Sequence, residues 1–144
     1  MADKIGFIGL GRMGKPMAAN LVKKGFALVV HDLNQTAVKD LVAMGAQSAG
    51  VAELARDCSI IVTMLPSSLE VEQTALGEGG IFAHARPGCI LMDMSTIDPL
   101  ATDRLAQQAA AKGLSMVDAP VRRLAEHADR GESLFMVGAS DADL

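Results

Sequence analysis

Tryptophan and tyrosine are absent from this sequence, and its 144 residues include 4 Phe. A platform of aromatic faces on which bases could stack is therefore missing. An excess of positive charge is missing too. The 13 Lys+Arg stand against 17 Asp+Glu, for a formal net charge of -4, and no basic stripe appears. Both absences argue against a nucleic-acid backbone as partner. No apolar run approaches the ~18 residues that a transmembrane helix needs. The opening MADKIGFIGL lacks the basic-then-apolar pattern of a secretory leader. The 2 Cys, Cys58 and Cys89, each open an apolar run. They read as small buried hydrophobes in a reducing compartment, not as a disulfide or a metal site. His31, His84 and His127 lie far apart and have no metal-ligand spacing. The expectation is a soluble cytoplasmic domain with neither a membrane nor a nucleic acid as partner.

What is present is a hydrophobic chain, at 50% apolar and 21% charged, well outside the composition of disorder. Its length fits one ordinary domain. Apolar runs alternate with stretches of helical spacing throughout. Strands are predicted at 4–10, 27–31, 59–65, 89–94 and 115–118, with a last one at 133–137. Helices are predicted at 11–24, 36–44, 51–56, 68–76 and 99–112. Met17 and Leu21, with Ala18 and Val22, form one apolar stripe, and Ala101, Leu105 and Ala109 form another at i,i+4 spacing. Gly25, Gly45 and Gly113 stand where helix-ending glycines belong. Strands apolar on both faces, separated by amphipathic helices, predict an α/β fold. It would be a doubly wound, mostly parallel sheet with helices on both faces. Asp141–Leu144 looks like the start of a further helix.

The first strand runs into Gly9-Leu10-Gly11-Arg12-Met13-Gly14, a G-x-G-x-x-G between a predicted strand and a predicted helix. That context points to a Rossmann-type dinucleotide site. Gly9 would permit the tight turn, Gly11 would remove a Cβ from the path of a pyrophosphate, and Gly14 would let the helix sit close on the strand. The amides of Gly11, Arg12 and Met13 would face the phosphates at the positive end of the helix dipole. Asp32 ends the second strand at about the ~20-residue spacing of the ribose-binding acid. A carboxylate there would accept hydrogen bonds from the adenosine ribose, each worth ~1.5–3 kcal/mol. It would also repel a 2′-phosphate by up to ~4 kcal/mol. NAD is therefore preferred over NADP. The bland alternative for Asp32 is a turn-forming role in His31-Asp32-Leu33-Asn34.

The segment from Gly6 to Leu21, GFIGLGRMGKPMAANL, resembles the N-terminal signature of the β-hydroxyacid dehydrogenases. That family includes 3-hydroxyisobutyrate dehydrogenase, tartronate semialdehyde reductase and sulfolactaldehyde reductase. The resemblance continues through Thr63-Met64-Leu65-Pro66, the Asp93–Pro99 segment DMSTIDP, and Asp118-Ala119-Pro120-Val121. It resumes at Gly131 and Phe135-Met136-Val137-Gly138, so it covers essentially the whole chain. It implies that Met64, Leu65 and Pro66 lie along the adenosine and pyrophosphate. It also implies that Ser95 and Thr96 bind the cofactor, with Thr96 on its nicotinamide side. The alternative for Ser95 or Thr96 is a cap for the helix that starts near Pro99.

One region departs from the family. A Ser-Gly-Gly substrate loop usually follows Asp-Ala-Pro-Val, whereas this chain has Arg122-Arg123-Leu124. Arg123 aligns with an Arg of the sulfolactaldehyde reductase-like branch, while Arg122 replaces a Gly. Two guanidiniums would suit a small anionic hydroxy acid or semialdehyde; the alternative is a solvated basic turn. On this reading 1–144 is a dinucleotide-binding domain, with its core at about 1–120 and a substrate-facing loop and strand at 121–144. The family's catalytic Lys, in a G-x-x-G-x-x-x-K-x-x-N-N motif, does not occur within these residues. It is expected beyond residue 144, leading into an all-helical domain through which the parent enzyme would form a homo-oligomer. A stand-alone NAD-binding or sensing module is the second reading. A methyltransferase on the same fold is a weaker third.

Overall fold

The computed structural model describes residues 3–119. The predicted strand at 133–137, the helix start at 141–144, and Arg122 and Arg123 lie outside the described residues. The first strand, β1 (Lys4–Ile8), ends two residues earlier than its apolar run, because Gly9 turns the chain at φ +103. Helix α1 (Gly14–Lys23) begins where the glycine turn finishes, so residues 11–13 belong to the turn and not to the helix. Gly25 adopts φ +89 behind it, with its N–H on the Val22 carbonyl and that of Phe26 on Leu21, a left-handed stop to the helix.

The pattern then repeats. β2 (Ala27–His31) leads to α2 (Gln35–Ala43), whose cap Asn34 accepts from the amides of Thr36 and Ala37. A two-residue strand, β3 (Gln47–Ser48), was not foreseen: both residues are exposed and carry no apolar signal. After α3 (Val51–Asp57) come β4 (Ile60–Thr63), α4 (Ser68–Leu76) and a single further turn, α5 (Ile81–His84). β5 (Ile90–Asp93), α6 (Pro99–Ala111) and β6 (Ser115–Asp118) complete the described chain. Pro99 occupies the first turn of α6, where its missing N–H costs nothing, and Asp98 caps that helix through the Leu100 amide.

The 6-stranded sheet has the order β3-β2-β1-β4-β5-β6, and every pairing is parallel. This is the Rossmann order, with the reversal of winding between β1 and β4. Side chains alternate along the strands and divide the core in two. Phe7, Val30 and Val62 meet Met17 and Ala18 of α1 and Leu41 of α2 on one face. Ile8, Ile61 and Leu91 meet Leu54 of α3, Val71 of α4, Ile81 of α5 and Leu105 of α6 on the other. Cys58 and Cys89 are both buried and free, and burial pushes each thiol up to about 11. The predicted row Ala101, Leu105 and Ala109 is buried along α6. Leu105 is fully enclosed, so Leu105→Ala should cost ~2–5 kcal/mol. Leu100→Ala, on the same helix but 65% exposed, should fall within about 0.5 kcal/mol of the parent. Urea unfolding of the two variants checks the contrast; similar losses would contradict this placement of the core.

Candidate dinucleotide site

Three strand exits build the site. At the β1 exit Gly9 donates its N–H to the His31 carbonyl (3.0 Å). A Cβ on Gly9 would run into the Met64 carbonyl, and one on Gly14 would run into the carbonyl of Gly9. Neither position has room for a side chain. Gly11 is different: a Cβ there meets nothing within 4 Å and would project into open space. Two glycines are thus required by packing, and the third leaves an approach free. Helix α1 has no side-chain cap at Met13 and no acid in its first turn. Its leading amides keep their positive character toward the opening.

At the β2 exit the half-buried Asp32 carboxylate accepts from the Leu10 amide (2.6 Å) through Oδ2 and from the Asn34 amide (2.7 Å) through Oδ1. The turn role set against ribose binding is therefore real. It is not exclusive, since a carboxylate has about four lone-pair sites and these bonds use one on each oxygen. His31 points its Nδ1 at the Ala49 carbonyl (3.1 Å). At the β4 exit Met64 continues to bond Ile8 through its amide, and the Leu65 amide donates to the Ser95 hydroxyl (2.8 Å).

A cleft of about 510 Å³ opens among these exits. Of the residues singled out from sequence it brings together Gly9, Gly11, Arg12, Met13, Gly14, Asp32, Met64, Leu65 and Pro66. Ser95 and Thr96 are not among its walls. Ser95 is buried, with its hydroxyl committed to Leu65, and Thr96 is exposed beyond the end of β5. Neither caps α6; Asp98 does. The cleft also includes residues that sequence reasoning missed: His31, Leu33 and Val51, and from α4 Glu70, Gln73 and Thr74. The i,i+3,i+4 spacing of those α4 residues marks one polar face and was the available signal. Among the described residues no group of three metal-ligating side chains occurs, and no helix is long and apolar enough to cross a membrane.

A family model described as the NAD binding domain of 6-phosphogluconate dehydrogenase matches residues 4–144. The chain belongs to this family of NAD-binding domains. Its sequence is similar to the corresponding part of 3-hydroxyisobutyrate dehydrogenases and related reductases. It is 44% identical over 140 residues to a probable mitochondrial 3-hydroxyisobutyrate dehydrogenase of Dictyostelium discoideum, covering 96% of this chain and 44% of that protein. It is also 44% identical to 3-sulfolactaldehyde reductase of Escherichia coli, covering 94% of this chain and 46% of that protein. The structure of Mycobacterium tuberculosis 3-hydroxyisobutyrate dehydrogenase with L-serine superposes at a TM-score of 0.91 with 31% identity, over 99% of this chain and 48% of the other. Psf3 in complex with NADP+ and 2-OPP superposes at 0.91 with 28% identity, over 96% of this chain and 50% of the other. The chain thus spans about half the length of the relatives it matches.

Behind the cleft lies a carboxyl group in the sheet interior. Asp93 is 0% exposed. Burial pushes its carboxyl above the ordinary value of 3.8; hydrogen bonds from Ser95 and Thr63 pull it partly back, and Asp118 raises it further. An acid with a raised folded-state pKa binds more protons folded than unfolded. Stability is then fully present below the unfolded value and is lost as pH rises through the folded one. Asp93→Asn should remove that slope, so the variant gains on the parent as pH rises above the ordinary value of 3.8. Urea midpoints for both chains as the pH is raised test it; parallel curves would contradict a raised Asp93.

Proposed function

We propose that this domain binds NAD in preference to NADP and forms the cofactor half of a dehydrogenase acting on a small anionic 3-hydroxy acid or the corresponding semialdehyde. One observation carries the reading: the glycine turn, the open side of Gly11 and the Asp32 carboxylate line one cleft. In this reading the amides at 11–13 hold the pyrophosphate at the start of α1, with Arg12 supplying a cation at the rim. Asp32 takes the adenosine ribose with the lone pairs its backbone donors leave. Met64, Leu65 and Pro66 form the wall along the adenosine and pyrophosphate. Thr96, at the neighbouring β5 exit, faces the nicotinamide side. The nicotinamide supplies the hydride acceptor when bound.

The preference for NAD is supported by charge. Asp32 disfavours a phosphate on the ribose, and Glu70 adds a second carboxylate to the lining. Lys15, close in sequence to the turn, is paired with Asp40. Arg122 and Arg123 would recognise the substrate's anionic group. The proton-transferring Lys and the helical domain that makes the homo-oligomer belong, on this reading, to the parent enzyme beyond residue 144.

Calorimetric titration with NAD and NADP tests the assignment. NAD should bind more tightly, and Asp32→Ala should weaken it by about 10–100-fold, as expected for one or two lost charge-assisted hydrogen bonds. The same substitution should narrow the gap to NADP. Equal affinity of the parent for both dinucleotides would overturn the preference, and no binding of either would overturn the site.

A further inference from the structure

β4 and β5 end level with each other: Thr63 pairs with Asp93, and Asp93 pairs across to Asp118 on β6. The last backbone bond of the β4–β5 seam joins the Met94 amide to the Thr63 carbonyl (2.8 Å). Beyond it the two exits are held by side chains. Asp93 Oδ1 accepts from the Thr63 hydroxyl (2.9 Å) and from the Ser95 amide (3.0 Å). Ser95 in turn accepts the Leu65 amide at 2.8 Å, and Leu65 is a wall of the cleft. A continuous path of hydrogen bonds therefore runs from the sheet interior to the dinucleotide wall.

We infer that Asp93 is a positioning residue of this cleft, holding Ser95 so that the Met64–Pro66 wall stands at the spacing a dinucleotide requires. The inference rests on the proposed dinucleotide reading of the same cleft. Its chemistry follows from which oxygen does the work. Oδ1 takes both donors, while the buried Oδ2 has no hydrogen-bond partner among the described residues. Ionisation would place a charge on a desolvated atom with Asp118 one strand away, the ionisable group that acts on Asp93. The useful part of the side chain is thus its carbonyl-like oxygen. An Asn offers the same acceptor, whereas an apolar residue leaves two buried donors without one.

Amide hydrogen exchange of Leu65, referenced to Val62 within β4, tests this in the parent, Asp93→Asn, Asp93→Ala and Ser95→Ala. D93A and S95A should lower Leu65 protection by about tenfold or more while Val62 holds, and D93N should keep it. NAD affinity should follow the same order, retained in D93N and reduced in D93A. If D93A does not fold by circular dichroism, Asp93→Leu, close in shape and without an acceptor, takes its place. Unchanged Leu65 protection in the acceptor-free variant overturns the inference. So does a D93N that loses as much as D93A, or an NAD affinity equal in all variants. A parent chain that binds no dinucleotide defeats the functional reading instead, and the exchange pattern then still decides whether Asp93 holds Leu65.

Discussion

Gly14 lies with its Cα against the carbonyl of Gly9, and Gly9 lies with its Cα against the carbonyl of Met64. Three segments, the β1 exit, the start of α1 and the β4 exit, therefore meet backbone to backbone with no side chain between them. Most of the functional end of the molecule follows from this approach. It brings the first turn of α1 over the sheet at the point where the winding reverses, the place where doubly wound sheets bind ligands. It also leaves the Met64–Pro66 segment as one wall and the glycine turn as the floor of a single cleft. A methyl group at either glycine forces the segments apart, since the atoms it would meet are backbone and not the ends of flexible side chains.

Two aspartates sit at strand ends of this arrangement and do opposite things. Asp32 is half-buried, lines the cleft and spreads its backbone donors over both oxygens, one on each. Asp93 is enclosed, with its donors on one oxygen and burial acting against charge. The first offers its charge outward; the second works as an internal acceptor. Environment separates the two roles: one carboxyl group lines the cleft and the other is shut inside the sheet.

Much of this was readable in the residues. The longer strands and helices announce themselves by apolar runs and by rows such as Ala101, Leu105 and Ala109. The glycine turn is legible because only glycine meets its backbone and packing demands. β3 has no signal in the sequence, because Gln47 and Ser48 carry no hydrophobic pattern; their place is set by pairing with Val29 and Val30. α5 is a single turn, too short for a period to show. Strands β1, β4 and β5 end before their apolar runs do, because Leu10, Met64, Leu65 and Met94 continue the run beyond the last strand residue. Three of them form the turn and the cleft wall. Spacing marks a polar face on α4, but that this face meets the cleft, and that the Ser95 hydroxyl points inward, depend on which way a helix and a strand end are turned. Spacing alone does not carry that information.

The central claim is that a dinucleotide lies across the glycine turn. Amide chemical shifts of the 15N-labelled chain, followed as NAD is added, test it most directly. Shifts should concentrate at Gly9, Gly11, Arg12, Met13, Asp32, Leu33 and Leu65. Gly88 and Cys89, at the opposite end of the sheet, should stay still. Shifts centred on that opposite end, or none along the β1 exit at saturating NAD, would contradict it.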